Sequence, residues 1–292
     1  MIVKDVVCPF CGCLCDDIEV EVEDNRVVAV TNACELGMTK LMGEERMKNP
    51  ILRDGNTWKD ITYDEAIRYA ADMLLSAERP LLYGWSGTHG EAQCVGVHMA
   101  ELVHGVIDNT SSVCHGPSIL AIQEVGHPGC TLGVVKNRAD LVIYWGANPI
   151  DAHPRHLSRY TRYAEGFFLE NAFRDRKVIV VDVRRTETAN IADEFVQIKP
   201  GGDYAVLSAL RAIVRGKTEM IPRTVAGVTR EQLVRVVDLC KGAKFGAVYF
   251  GLGLTMTGGK YKNIRNAIEL VSELSRHTKF TISAMRGHYN VY

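Results

Sequence analysis

"DLVIYWGANP", Asp140 to Pro149, is the stretch that decides the fold. It runs through β-branched and aromatic residues without a polar interruption, is too short for a helix, and stops at glycine. A strand that is apolar on both sides belongs inside a parallel sheet covered on both faces. The same texture returns in "KVIVVDV" (177–183), "FGAVYFG" (245–251) and "KFTISAM" (279–285). Helical patterns fall between them, from about Asp203 to Arg215 and from about Lys262 to Arg276. Upstream, "PLLYG" (80–84) leads through "GWSGTHG" into a helix ending near His104. Strands, glycine loops and helices in alternation predict an α/β chain with a Rossmann-like parallel sheet.

The first fifty residues read differently. "IEVEVE" (18–23) and "RVVAV" (26–30), joined by Asp24-Asn25, predict a hairpin with the favoured turn chemistry. Thr62-Tyr63-Asp64-Glu65 is a capping-box pattern. It opens a helix whose apolar positions Ile67, Ala70, Ala71, Leu74 and Leu75 share one face.

With 292 residues, 47% hydrophobic and 24% charged, the chain is long enough for two or three modules. A net charge of −1 offers no basic field for nucleic acid. The apolar runs are shorter than a membrane span, and Met1-Ile-Val-Lys-Asp lacks the regions of a signal peptide. A cytoplasmic protein without nucleic-acid or membrane partners is expected. There thiols stay reduced, so nine cysteines, five of them before residue 35, point to metal rather than disulfides.

"VCPFCGCLCDD" supplies Cys8, Cys11, Cys13 and Cys15, and Cys34 follows in "TNACELG". Cys8, Cys11, Cys15 and Cys34 give three close thiolates and a distant fourth, a spacing that can wrap a 4Fe–4S cluster. Structural zinc is the competing reading. Zinc ribbons usually contribute a second Cys pair where Cys34 stands alone, so the iron–sulfur reading is preferred. Cys13 is left over as a turn residue pointing away. Cys94, Cys130 and Cys240 stand singly and read as packing residues.

The loops after the strands suggest a large nucleotide-bearing cofactor. In "WGANP", "DVRRTET", "KPGGD" and "FGLGLT", glycines let backbone N–H groups approach an anion, and helix N-termini favour phosphate. Asp182, at a strand end, can accept hydrogen bonds from a ribose or base. The candidates on these loops are Gly146, Asn148, Asp182, Arg184, Thr186, Gly202, Asp203, Gly251 and Gly253. None of the loops is a complete dinucleotide or Walker motif.

"SSVCHGPS" (111–118) raises three readings for Cys114. A nucleophile would need a base from elsewhere in the fold. An incidental loop thiol needs nothing and is the ordinary reading of a lone cysteine. A cofactor ligand needs a cleft where loops converge at the edge of a doubly wound sheet.

These residues together resemble the molybdopterin oxidoreductase family over nearly the whole chain. "NPILRDGNTWKDITYDEA" (49–66) is similar to the family's passage into its second domain. "GANP", "VVDVRRTETANIAD" and "IKPGGDYAVLSAL" are similar to its pterin loops. "SSVCHGPS" with the late "AMRGHYN" (284–290) resembles the tungsten- or molybdenum-binding subunits of formylmethanofuran dehydrogenases. The resemblance implies two molybdopterin guanine dinucleotides holding tungsten or molybdenum, with Cys114 as protein ligand. It implies reversible reduction of CO2 to formate, fed with electrons by the cluster. Arg286 would hold the carboxylate-like substrate, and His115 would move a proton and tune the metal. His288 is a second candidate for that pocket, and His89 reads as a loop residue.

The implied organisation is a cluster domain over 1–52 and the first part of an α/β domain over 53–110. A pterin-binding domain over 111–283 and an incomplete return over 284–292 would follow. The family's C-terminal β-barrel is expected to be absent here and supplied by a small separate subunit, and the end at Tyr292 suggests missing sequence. Further implied partners are an amidohydrolase-like subunit and ferredoxin-like polyferredoxin subunits. Relatives often carry lysine two residues after the fourth cluster cysteine, where this chain has Leu36, so no electron-relay residue is assigned. The rival readings are a formate dehydrogenase, a degenerate electron-transfer or assembly subunit, and a zinc-stabilised binding module.

Overall fold

The computed structural model describes residues 1–45, 47–86 and 88–286. The chain divides into two compact units. His288 and the tail of "AMRGHYN" lie outside the described residues.

The first unit comprises Met1–Phe10 and Cys15–Thr110. Strands β1 (Ile2–Val6), β2 (Ile18–Glu23) and β3 (Arg26–Thr31) form an antiparallel sheet in that order. The expected hairpin is β2–β3. Its turn residues Asp24 and Asn25 both take positive φ, 47° and 59°, as a turn matching strand twist requires. Pairing of β1 with β2 has no counterpart in the sequence reading, because "IVKDV" lacks a clean alternation. Helix α1 (Glu35–Met42) starts directly after Cys34.

A second hairpin, β4 (Ile51–Asp54) with β5 (Thr57–Asp60), precedes α2 (Tyr63–Ser76). The capping box is formed. The Thr62 hydroxyl accepts from the Glu65 N–H at 3.2 Å, and the Glu65 carboxylate accepts from the Thr62 N–H at 2.8 Å. The apolar stripe of α2 is present as a pattern but is not packed within the unit, with Ile67 63% and Leu75 71% exposed. Strand β6 (Leu81–Gly84), α3 (Gly90–Leu102) and β7 (Val106–Asn109) make one parallel β–α–β turn.

The second unit holds Cys11–Leu14 and the described residues from Ser111 onward. Helices α4 (Gly116–Val125) and α5 (Leu132–Arg138) lead into β8 (Leu141–Trp145). Then come α6 (Pro149–Ala152), α7 (His156–Arg159), β9 (Lys177–Asp182), α8 (Glu187–Asn190) and β10 (Glu194–Gln197). Helix α9 (Asp203–Val214), the short pair β11 (Thr224–Val225) and β12 (Val228–Thr229), and α10 (Arg230–Gly242) return the chain to β13 (Phe245–Phe250). Helices α11 (Leu252–Thr255) and α12 (Tyr261–Leu274) and strand β14 (Lys279–Ala284) complete it.

The sheet order is β10-β9-β8-β13-β14, and every pairing is parallel. All five residues of β8 are buried, as its sequence demands. Ile143, Ile179, Val248 and Ile282 pack beneath α9, α10 and α12, while Val142, Tyr144, Val180 and Tyr249 fill the opposite face with Val135 of α5. Each such aliphatic side chain contributes roughly 2 kcal/mol by leaving water. From β8 the chain first builds outward through β9 and β10, then crosses back to lay β13 and β14 on the other side. The carboxyl ends of β8 and β13 therefore border a topological switch point, where a parallel sheet opens a crevice.

Candidate functional site

A cleft of about 380 Å³ opens at that switch point. Cys114, Gly146, Asn148, Arg184 and Gly251 line it, together with His153 and Met285. Cys114 sits where a 3-10 turn, Thr110–Val113, hands over to α4, with its N–H bonded to the Ser111 carbonyl at 3.0 Å. Burial pushes its thiol pKa up, and the nearby Arg286 cation opposes that shift. A bound metal cation would override both and take the thiolate.

His115 lies next to the cleft but not as a free acid–base group. Its ring is 1% exposed. Nε2 stands 3.1 Å from the Met285 carbonyl, and Nδ1 stands 2.9 Å from the Ser118 hydroxyl. A carbonyl only accepts, so Nε2 carries the proton and Nδ1 accepts from serine. Burial, more than any partner, lowers the ring pKa to about 4. Both ring nitrogens have protein partners, and the ring braces the end of β14.

The loop residues fall into two groups. Gly146, with φ +54°, gives its N–H to Val181, while Gly251 and Gly253 give theirs to Trp145 and Gly146. A Cβ on Gly253 would lie 2.6 Å from the Gly146 Cα, and one on Gly251 would lie 2.5 Å from the Gly146 oxygen. These glycines thus let two strand-end loops touch backbone to backbone, rather than offering N–H groups to an anion. Thr186 is buried, and its hydroxyl caps α8 by accepting from the Ala189 N–H at 3.2 Å. Gly202 packs against Ala226, because a Cβ there would meet the Ala226 side chain at 2.4 Å.

Other candidates face outward or keep unused bonding capacity. Arg184 is exposed on the cleft. Asp182 accepts the Arg184 N–H at 3.1 Å. The Asn148 amide oxygen accepts from the Thr188 hydroxyl at 2.6 Å, tying the β8 and β9 loops together. Asp203 is 2% exposed; its Oδ1 accepts from the Trp145 indole at 2.8 Å, and burial raises its carboxyl pKa. Its Oδ2 is buried with no hydrogen-bond partner. Such an orphan fits a ligand with polar hydrogens to share.

The cysteines carry their own pattern. Cys8, Cys15 and Cys34 lie in the first unit. Cys8 and Cys15 are buried, and the Cys8 N–H bonds to the Cys15 carbonyl at 2.8 Å. A Cβ on Gly37 would lie 3.5 Å from the Cys8 sulfur and 3.8 Å from the Cys34 sulfur, so both thiols converge on a bare stretch of α1. In the second unit, Cys11 is held down to about 6, chiefly by a hydrogen bond from the Cys13 thiol. Burial opposes the shift, and the Cys13 backbone and nearby His153 add to it. Cys13 is in a turn, as expected, but it does not point away; at 1% exposed it faces Cys11. Among the described residues, no three His, Cys, Asp or Glu side chains gather closely enough to hold a single ion. A cubane spreads its thiolates over four irons and needs no such close group.

The molybdopterin oxidoreductase family model matches residues 46–220. One subunit of the tungsten-containing formylmethanofuran dehydrogenase 2 of Methanocaldococcus jannaschii is 50% identical over 99% of this chain and 68% of its own length. The chain belongs to the molybdopterin oxidoreductase family.

The corresponding subunit of Methanococcus maripaludis is 48% identical over 99% of this chain and 67% of its own. Within the molybdopterin oxidoreductases, the chain thus belongs with these formylmethanofuran dehydrogenase subunits, and it spans about two thirds of their length. Formate dehydrogenase H of Escherichia coli is 26% identical over 98% of this chain and 46% of its own. In fold, the acetylene hydratase of Pelobacter acetylenicus superposes with a TM-score of 0.70 at 14% identity, over 94% of this chain and 43% of that one.

For the pterin–metal cofactor of a molybdopterin oxidoreductase the cleft is chemically apt, because the soft thiol of Cys114 lines it. His89 is exposed and precedes α3, as a loop residue would. Cys94 is exposed rather than packed, whereas Cys240 is buried and Cys130 bonds the Thr281 hydroxyl at 3.2 Å. His153 escapes the sequence reading. Its only signal there is position, five residues beyond Asn148 on the loop leaving β8. Among the described residues, no helix is long and apolar enough to cross a membrane.

Proposed function

We propose that this chain is the redox subunit of a formylmethanofuran dehydrogenase, interconverting CO2 and formate at a tungsten or molybdenum centre held by two molybdopterin guanine dinucleotides. The observation that carries the reading is the single cleft where Cys114 meets Gly146, Asn148, Arg184 and Gly251 at the sheet's switch point. The metal–pterin group supplies two-electron redox chemistry at the carbon of CO2. Cys114 is its protein ligand. Cys8, Cys11, Cys15 and Cys34 would hold a 4Fe–4S cluster, which would supply electron transfer. The depressed Cys11 pKa and the bare flank at Gly37 support that assignment.

The chain's own residues divide the remaining work. Arg286, whose charge acts on Cys114, offers a planar pair of donors to a carboxylate. His115, neutral at working pH, holds the Met285 carbonyl and so fixes the backbone from which Arg286 projects. Asp182, Arg184 and Asp203 bind the polar ends of the dinucleotides, and the unused Asp203 Oδ2 supports this. The rest of the complex is proposed as an amidohydrolase-like subunit, polyferredoxin subunits and a small subunit resembling the pterin-binding β-barrel. The chain's cysteine usage supports a cytoplasmic setting.

The test is methanofuran dependence. The complete complex, purified without oxygen, is expected to reduce CO2 to the formyl product only when methanofuran and a low-potential reductant are both present. Oxidation of free formate by this chain without an amidohydrolase-like partner would favour a formate dehydrogenase instead.

A further inference from the structure

Two consecutive carbonyls after β14 are each held by a buried histidine. Met285 is held by His115, and the Arg286 oxygen faces His153 Nε2 at 2.9 Å. Because the carbonyl can only accept, His153 carries its proton on Nε2. The ring is 5% exposed, packs edge-on against His156 at 6.5 Å, and leaves Nδ1 buried with no hydrogen-bond partner. An unpaired buried nitrogen is unfavourable, and an apolar side chain of similar size would avoid it. What only a donor supplies here is the bond to Arg286.

The same point receives the cysteine turn. A Cβ on Gly12 would lie 2.9 Å from the Arg286 oxygen and 3.3 Å from His153 Nε2, so that turn approaches as closely as a glycine permits. His153 also lines the cleft with Cys114.

We propose that His153 is a positioning residue for substrate binding: its Nε2–H fixes the backbone of Arg286 and thereby the guanidinium's approach to Cys114. The proposal rests on Arg286 as the substrate-holding arginine. His153 touches no substrate; it works through its neighbour.

The experiment compares His153→Leu, His153→Gln and Arg286→Ala in the complete complex, each checked for Group 6 metal and iron per chain. Glutamine can still donate from the Nε2 position; leucine cannot. Hydrogen–deuterium exchange over 279–286 is read beside formate-oxidation kinetics. With His153→Leu, exchange over 279–286 rises and the KM for formate rises roughly tenfold with kcat changed less than about twofold, the signature of a lost binding contact. His153→Gln restores both. Unchanged exchange would overturn the grip. Raised exchange with unchanged KM, while Arg286→Ala raises KM, would overturn the positioning role. An unchanged KM in Arg286→Ala would sink the substrate reading of that arginine and leave exchange to decide the grip by itself. If the leucine variant does not assemble, glutamine against His153→Asn, whose shorter amide does not reach the carbonyl, makes the same comparison.

Discussion

His115 spans from the Ser118 hydroxyl, 2.9 Å from its Nδ1, to the Met285 carbonyl, 3.1 Å from its Nε2. The start of α4, beside Cys114, is thereby fastened to the end of β14, beside Arg286. Replacing His115 with leucine would leave a buried carbonyl and a buried hydroxyl without their partner. The expected loss is roughly 2–4 kcal/mol, read as a lower denaturation midpoint of the complex. An unchanged midpoint would show that the ring does not brace this junction.

His156 sets a pH dependence. Burial first, and repulsion from His153 second, lower its pKa to about 3. The unfolded chain titrates this group near its ordinary value of about 6.5, so below that pH the unfolded state binds the additional proton. Stability is therefore complete above about 6.5 and falls as pH drops toward 3. Between pH 7.5 and 5 this one group removes about 2 kcal/mol. His156→Phe should flatten the fall of the thermal midpoint over that range. An equally steep fall in the variant would place the acid sensitivity elsewhere.

Cys13 is expected to support the cluster without ligating it. Its thiol is the largest influence holding the Cys11 pKa down. Cys13→Ala should retain the iron content of the complex and the reduced-cluster resonance while shifting the cluster's potential. Cys11→Ala should lose iron. Iron loss in Cys13→Ala comparable to that in Cys11→Ala would make Cys13 a ligand instead.

Gly37 separates two outcomes by side-chain size. An alanine methyl would meet the Cys8 and Cys34 sulfurs at 3.5 and 3.8 Å, ordinary van der Waals contact. Valine adds two methyl groups beside those sulfurs. Iron per chain should survive Gly37→Ala and fall in Gly37→Val. Full iron in the valine variant would mean that no cluster occupies the space by this helix.

Much of the second unit is legible in the sequence, for a physical reason. Strands buried on both faces cannot hide their composition, so "DLVIYWG", "KVIVVDV", "FGAVYFG" and "KFTISAM" mark four of the five sheet strands to within a residue or two. The fifth, β10, reads "EFVQ"; as an edge strand it is short and mixed, with no such signature. Local chemistry is equally readable where it closes on itself, in the Asp24-Asn25 turn and the Thr62–Glu65 box. Roles set by distant contacts are not. Nothing near Gly251 reveals that its N–H is spent on Trp145, and nothing near His115 reveals Met285, 170 residues away. The exposed stripe on α2 shows the same limit: periodicity identifies a face but not what it meets.

The assignment on which the rest depends is Cys114 as the protein ligand of a Group 6 metal in the switch-point cleft. Tungsten, molybdenum and iron per copy of this chain should be measured by mass spectrometry in the anaerobically purified complex, for the wild type and Cys114→Ala. Roughly one tungsten or molybdenum per chain is predicted in the wild type, a soft metal on a soft thiolate, with its depletion in the variant and iron unchanged. An intact, cofactor-replete wild-type complex without tungsten or molybdenum would contradict the assignment.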